Sequence, residues 1–205
     1  CYDVILAIDK VTVPAQFSFF KHEHRIKQTL SELERVKRED LPRVSALFHD
    51  LNRAAFLTYP TNGSLPEVIA DRTEEILKRC PESVVVVKLS LDGVGADHDA
   101  LRRVPGGFER VMRTCERLAS LAGRCRRLEI GVNTLFCPEN QGRMEPIVDL
   151  VAGLDGVRSH TLTVLRPVPG GPPGAAVDLD LYRRAGLHLE ARWRARRHGA
   201  HRFAG

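Results

Sequence analysis

Ser90 ends the most apolar stretch of the chain, Val84-Val-Val-Val-Lys-Leu-Ser90, and Leu91-Asp92-Gly93 follows. A hydroxyl there can hold a ligand's polar group with few competitors, or it can bond its own backbone and start a turn. One βα unit earlier, Phe56-Leu-Thr-Tyr-Pro runs into Thr61-Asn62-Gly63. Those residues suit either a ligand or a left-handed strand-to-helix turn. Asn133, near the end of a third apolar run, has the same two readings. His98, Asp99 and Arg102 share one short helical segment. Asp99 can cap it, with Arg102 three residues on. Without other context a His–Asp pair of this kind is a surface pair. Asp92-Gly93 reads as a structural turn with positive φ at the glycine. His22 and His24 have no acidic or sulfur-bearing residue arranged beside them, so they read as surface histidines.

These residues need elements to place them. A run such as Val84 to Val87 suits a strand covered on both faces, as in a parallel sheet with helices on each side. Strands are expected near 54–60, 84–91, 128–136 and 159–166, adjacent, parallel and in chain order. Helices are expected between them: one from about Asp40 with Pro42 in its first turn, then 65–80, 97–103, about 108–122 and 144–154, and a last one capped by Asp178. Ile69, Ile76 and Leu77 of the second helix and Val111, Cys115, Leu118 and Leu121 of the fourth stripe the inward faces. The alternation predicts an α/β fold with crossovers long enough for right-handed parallel connections. Ligands of such folds bind where strands end, which puts Thr61, Asn62, Ser90 and Asn133 in the expected place. Three segments follow: 1–37 with no clear pattern beyond a short apolar run at Val4 to Ile8, the βα core 38–167, and 168–205 with a Pro/Gly loop and a basic helix.

The ordered set Thr61-Asn62-Gly63, Ser90-Leu91-Asp92-Gly93, His98-Asp99, Arg102 and Gly107-Phe108 resembles the radical S-adenosylmethionine enzymes. The likeness is to the branch of the molybdenum-cofactor synthases and the SPASM peptide-modifying enzymes, from about Glu39 to Pro167. It implies a partial parallel βα barrel, here incomplete, with S-adenosylmethionine and a [4Fe-4S] cluster as cofactors. It also implies a 5′-deoxyadenosyl radical that abstracts hydrogen from a small-molecule or peptide substrate. By that likeness Ser90, Asn133 and Arg102 would contact the cofactor, Arg102 through bidentate hydrogen bonds to a carboxylate on the ligand or on Asp99, and Thr61 and Asn62 would lie on the substrate side. Two hallmarks are missing. No Cys-x3-Cys-x2-Cys triplet is present to supply the thiolates of the cluster. Glu32-Leu33-Glu34-Arg35 stands where a Gly-Gly-Glu-Pro turn belongs. Cys1 can be the last cysteine of a motif cut off at the start, and the chain as it stands is expected to lack radical activity. A non-enzymatic relative that binds a ligand or a partner is the alternative, as is an α/β module whose basic tail contacts RNA.

The 205 residues, 43% apolar and 28% charged, fit one globular domain with a sizeable core. No apolar run approaches the roughly 20 residues that span a bilayer, so no membrane partner is expected. Five scattered cysteines, an odd number, argue against a disulfide framework and for a reducing cytoplasm. No secretory signal and no initiator methionine open the sequence, which reads as a fragment or a processed form. Of the net charge of +5, much lies between Arg183 and Arg202, where seven arginines meet one acid, Glu190. Only Trp193 and Phe203 interleave with them. That is too few for a base-stacking platform, so nucleic acid is not the expected partner and a solvated terminal helix is.

Overall fold

The computed structural model describes residues 40–165 and 177–196 in full, and the backbone of 3–5 and 197–200. Five strands form one parallel sheet in chain order. They are β1 (Asp3–Ile5), β2 (Phe56–Thr61), β3 (Val84–Ser90), β4 (Leu128–Phe136) and β5 (Val157–Val164). Six helices alternate with them: α1 (Leu41–Asn52), α2 (Pro66–Arg79), α3 (Ala96–Arg102), α4 (Gly107–Arg124), α5 (Met144–Gly153) and α6 (Leu179–Ala200). The four strands expected from sequence are therefore adjacent, parallel and ordered. The apolar run at Val4 contributes a fifth, paired with β2 through Asp3↔Phe56 to Ile5↔Thr58. The Pro/Gly loop, His22, His24 and Cys1 lie outside the described residues.

The helices stack where their apolar stripes meet the sheet. Ile69, Ile76 and Leu77 of α2 and Val111, Cys115, Leu118 and Leu121 of α4 are buried, as their spacing requires. On the sheet, Leu57, Val85, Val87, Leu89, Leu128 and Ile130 have no exposed surface. Each such side chain contributes about 1.5–3 kcal/mol relative to an exposed one. Within this layer the buried Tyr59 hydroxyl donates to Ser45 Oγ at 2.7 Å, and Ser45 Oγ donates to the Leu41 carbonyl at 2.7 Å. Arg127 closes the end of α2 by donating to the carbonyls of Leu77, Cys80 and Ser83 at 2.9, 2.8 and 3.1 Å.

The valine strand is not covered on both faces by what is described. Its burial alternates, with Val85, Val87 and Leu89 toward the helices and Val84, Val86, Lys88 and Ser90 half-buried on the opposite face. That opposite face also carries Thr58 and Pro60 of β2, Glu129, Gly131, Asn133 and Leu135 of β4, and Ser159, Thr161 and Thr163 of β5, matched by register. A bulge sets the last three. Ile130 pairs with Val157 but Gly131 pairs with Ser159, so Arg158 is the extra residue. The parity of β5 reverses there, and the hydroxyls of Ser159, Thr161 and Thr163 turn to the open face while His160 and Leu162 turn inward.

Of the helix caps expected at Asp40 and Asp178, one forms and one does not. Asp40 precedes α1 but makes no side-chain cap bond; Pro42 in the first turn is what remains of the reading. Asp178 does cap α6, its Oδ1 accepting from the backbone N–H of Asp180 at 2.8 Å and Leu181 at 3.1 Å.

Candidate functional site

The loops at the carboxyl ends of β3 and β4 are tied into one rim by Asp92. Its side chain has no exposed surface. One carboxylate oxygen accepts from the backbone N–H of Leu135 at 2.7 Å, and the other lies 2.5 Å from Arg102 Nε. The Asp92 carbonyl accepts from Asn140 Nδ2 at 3.0 Å, and the Asp92 N–H donates to His98 Nδ1 at 3.2 Å. A charge this far from water is kept by a paired cation and by hydrogen bonds. Arg102 thus meets a carboxylate, but that of Asp92 and not that of Asp99.

The rest of the motif is likewise structural. Asp99 caps the next helix, not its own: its two oxygens accept from the N–H groups of Gly106 and Phe108, at 2.6 and 2.8 Å, at the start of α4. The Phe108 bond leads the causes that lower the Asp99 pKa. His98 is not a surface histidine but is 3% exposed, with its ring edge-on to Phe108. Burial lowers its pKa, and because Nδ1 accepts from Asp92 the neutral ring carries its proton on Nε2. Gly93 does not have positive φ; Gly95 does. Gly93 is required by close approach, since a Cβ there would lie 2.6 Å from the His98 backbone nitrogen.

Thr61 is 2% exposed and in register with Leu89, on the helix side of the sheet. Its hydroxyl accepts from the Gly63 N–H at 3.2 Å, and Asn62 Oδ1 accepts from the Ser64 N–H at 2.9 Å. Gly63 takes the left-handed turn with φ +68°, and its carbonyl accepts from Thr114 of α4 at 2.8 Å. The structure does not bring Thr61 to the face of Ser90.

It does bring Ser90 and Asn133 together. They are register partners at the carboxyl ends of β3 and β4, both half-buried on the open face. Asn133 Oδ1 accepts from Thr163 Oγ1 at 3.0 Å, which fixes the oxygen side of its amide. The surroundings of Ser90 are not the apolar pocket that four valines suggest. Alternation sends half of those valines to the other face and leaves Lys88, Asn133 and Thr161 near Ser90.

Lys88 and Asn140 were not among the residues read from sequence. Lys88 Nζ donates to Ser159 Oγ at 3.0 Å and reaches Thr161 Oγ1 at 3.5 Å, and burial lowers its pKa. Its signal is visible in retrospect as the one charged residue in an apolar strand. Asn140 staples the loop after β4, with Oδ1 accepting from the Cys137 N–H at 2.9 Å and Nδ2 donating to the Leu135 carbonyl at 2.7 Å. A lone Asn in a loop gives no such signal.

The described residues do not fit an iron–sulfur cluster. Cys80, Cys115 and Cys137 are buried on separate elements, and burial pushes each thiol up to about 11, against the thiolate that iron requires. Among the described residues no group of three or more His, Cys, Asp or Glu side chains is placed to hold a metal ion. No described helix is long and apolar enough to cross a membrane.

In the basic tail, Arg192 and His188 both meet Asp149 at 2.8 Å, Arg194 pairs with Glu190 at 2.5 Å, and Arg196 donates to the Leu154 carbonyl at 2.8 Å. Trp193 packs against the core beneath Arg196. The chain matches no protein-family model, and no curated protein matches it significantly.

Proposed function

We propose that the chain is a ligand-binding scaffold of the radical S-adenosylmethionine type, its sheet an open arc of a βα barrel. It takes S-adenosylmethionine at the carboxyl-terminal rim without itself cleaving it. The observation that carries this reading is the register of β3 and β4, which sets Ser90 beside Asn133 on the face no described helix covers. Parallel sheets bind ligands at such strand ends. A hydroxyl beside a carboxamide offers donors and acceptors to the ribose, amino and carboxylate groups of that molecule. Arg102 is engaged by Asp92 and Thr61 by its own turn, so the binding set narrows to Ser90 and Asn133. The reading ends at binding, because the described cysteines do not fit the cluster on which reductive cleavage depends. The substrate class that goes with it is a small molecule or a peptide.

Calorimetric titration with S-adenosylmethionine tests it. The wild type is expected to bind, and Ser90→Ala and Asn133→Ala to bind about 2- to 13-fold more weakly, since one hydrogen bond contributes about 0.5–1.5 kcal/mol. Circular dichroism should show both variants folded, as neither side chain supports the core. A folded wild type that gives no heat overturns the proposal. Unchanged affinity in both variants moves the site elsewhere and overturns it equally.

A further inference from the structure

Lys88 is one of only six lysines in a chain that otherwise uses arginine for its positive charge, and it stands in the middle of the sheet. Its side chain lies across Gly131 of the neighbouring strand. A Cβ on Gly131 would come within 2.7 Å of Lys88 Cδ and 2.6 Å of Ser159 Oγ, so the missing side chain is what lets the lysine reach β5. The bulge at Arg158 supplies the other half, because it alone turns Ser159 and Thr161 to the open face. Two independent local features, a glycine and a bulge, thus converge on one ammonium group.

A structural strut is the competing explanation, and Arg127 shows how this chain builds one. Arg127 donates to three backbone carbonyls within 3.1 Å. Lys88 has one short bond, to a neutral hydroxyl, and a second at the limit of hydrogen-bond distance. No carboxylate among the described residues forms an ion pair with it. Glu129, one row toward the strand starts on the same face, only moderates its charge from a distance. A half-buried ammonium with three donors and one good neutral acceptor has capacity for an anion. The hydroxyls of Ser159 and Thr161, both on β5, line one side of it and can share an oxygen ligand.

We infer that Lys88, Ser159 and Thr161 form a subsite for the anionic oxygens of a small molecule, a carboxylate or phosphate group, on the open face of the sheet. Lys88 and Ser159 lie one same-face row below Ser90 and Asn133, and Thr161 lies in the row of those two residues. It does not depend on S-adenosylmethionine binding there, and either proposal can fail while the other stands.

The test is a titration of the whole chain, labelled with isotope at its lysines, with inorganic phosphate and separately with succinate at constant ionic strength. The Lys88 side-chain signal is assigned by its loss in Lys88→Arg. Lys78, which pairs with Glu74 on the surface, is the internal control. Saturable movement of the Lys88 signal alone is expected. A response to phosphate only makes the ligand a phosphate compound, to succinate only a carboxylate, and to both a site that reads charge and oxygen without regard to shape. Ser159→Ala should weaken the binding at least about 13-fold, the lower end of about 1.5 kcal/mol for one hydrogen bond to a charged group. If Lys88 merely tracks Lys78 in both titrations, or if Ser159→Ala binds as well as wild type, Lys88 is a strut and the inference falls.

Discussion

Burial holds the His160 ring neutral well below its ordinary range, at about 4, and the nearby Lys88 charge adds to the effect. Thr134 Oγ1 donates to the Leu91 carbonyl at 2.6 Å, so at 2.8 Å it accepts from His160 Nε2–H. In the unfolded chain the ring gains its proton near pH 6.5; in the fold it does so only near 4. Between those values the unfolded state binds more protons, and stability must fall as pH falls. The loss between pH 7 and 4 is on the order of 2–3 kcal/mol, at about 1.4 kcal/mol per unit for one proton. His98, also depressed by burial, acts with the same sign. His160→Gln should therefore flatten the decline of the urea midpoint between pH 7 and 4.5, and identical slopes in the two proteins would contradict the assignment. Neither histidine was legible as a buried group. His98 sits between two aspartates in a short helix and looks solvated in sequence, and the inward turn of His160 depends on a bulge that periodicity does not reveal. The strand positions of Ser90 and Asn133 were legible, because Ser90 ends one plain apolar run and Asn133 lies near the end of another.

At the scale of elements, the segment from Ser90 to Phe108 is a folding device. Asp92 joins β4 to α3 through Leu135 and Arg102, His98 receives the Asp92 N–H, and Asp99 hands the chain on to α4. The residues that carry the resemblance are largely those whose hydrogen bonds and ion pair hold this loop. Asp-Gly reads as a turn in sequence, since that dipeptide suits positive φ. In the fold the positive φ belongs to Gly95, and Gly93 is pressed against α3. Gly93→Ala places a methyl 2.6 Å from the His98 nitrogen and 2.8 Å from the Asp97 carbonyl carbon, both backbone atoms that cannot swing aside. The helix must shift, and the Arg102 ion pair and the Asp99 cap shift with it. A loss of about 1–3 kcal/mol is expected by urea denaturation, the usual cost of overpacking. Gly123→Ala, in α4 with nothing within 4 Å of the added methyl, should be neutral or up to about 1 kcal/mol more stable. If the two substitutions have equal effects, the close approach of α3 does not constrain the loop.

The whole molecule is a parallel sheet in chain order with its described helices on one face, and that much follows from apolar runs punctuated by Gly, Pro and Asn. What the runs could not tell is which face each strand residue takes, because four consecutive valines look alike until neighbours on β2 and β4 assign them sides. The same assignment decides the chemistry of the sulfur atoms. A four-iron cluster needs three thiolates on one side of one loop, with thiol pKa values low enough for metal to displace the proton. Here Cys115 lies 3% exposed on α4 facing the sheet, Cys80 is sealed at the end of α2, and Cys137 sits in the loop after β4 beside Glu139, whose hydrogen bond raises the thiol further. Each holds its proton to about 11, and a native fold would have to open to bring any two together. Anaerobic reconstitution of the chain with iron and sulfide should therefore leave it colourless, with iron analysis returning less than one cluster per chain by a wide margin. In the same preparation native alkylation should reach Cys125, which is half-exposed, well before Cys80, Cys115 or Cys137. A stoichiometric cluster, with the broad visible absorption of such centres, would show that at least two of the described cysteines serve as ligands, since Cys1 is the only other one, and would restore the radical chemistry that the resemblance implies.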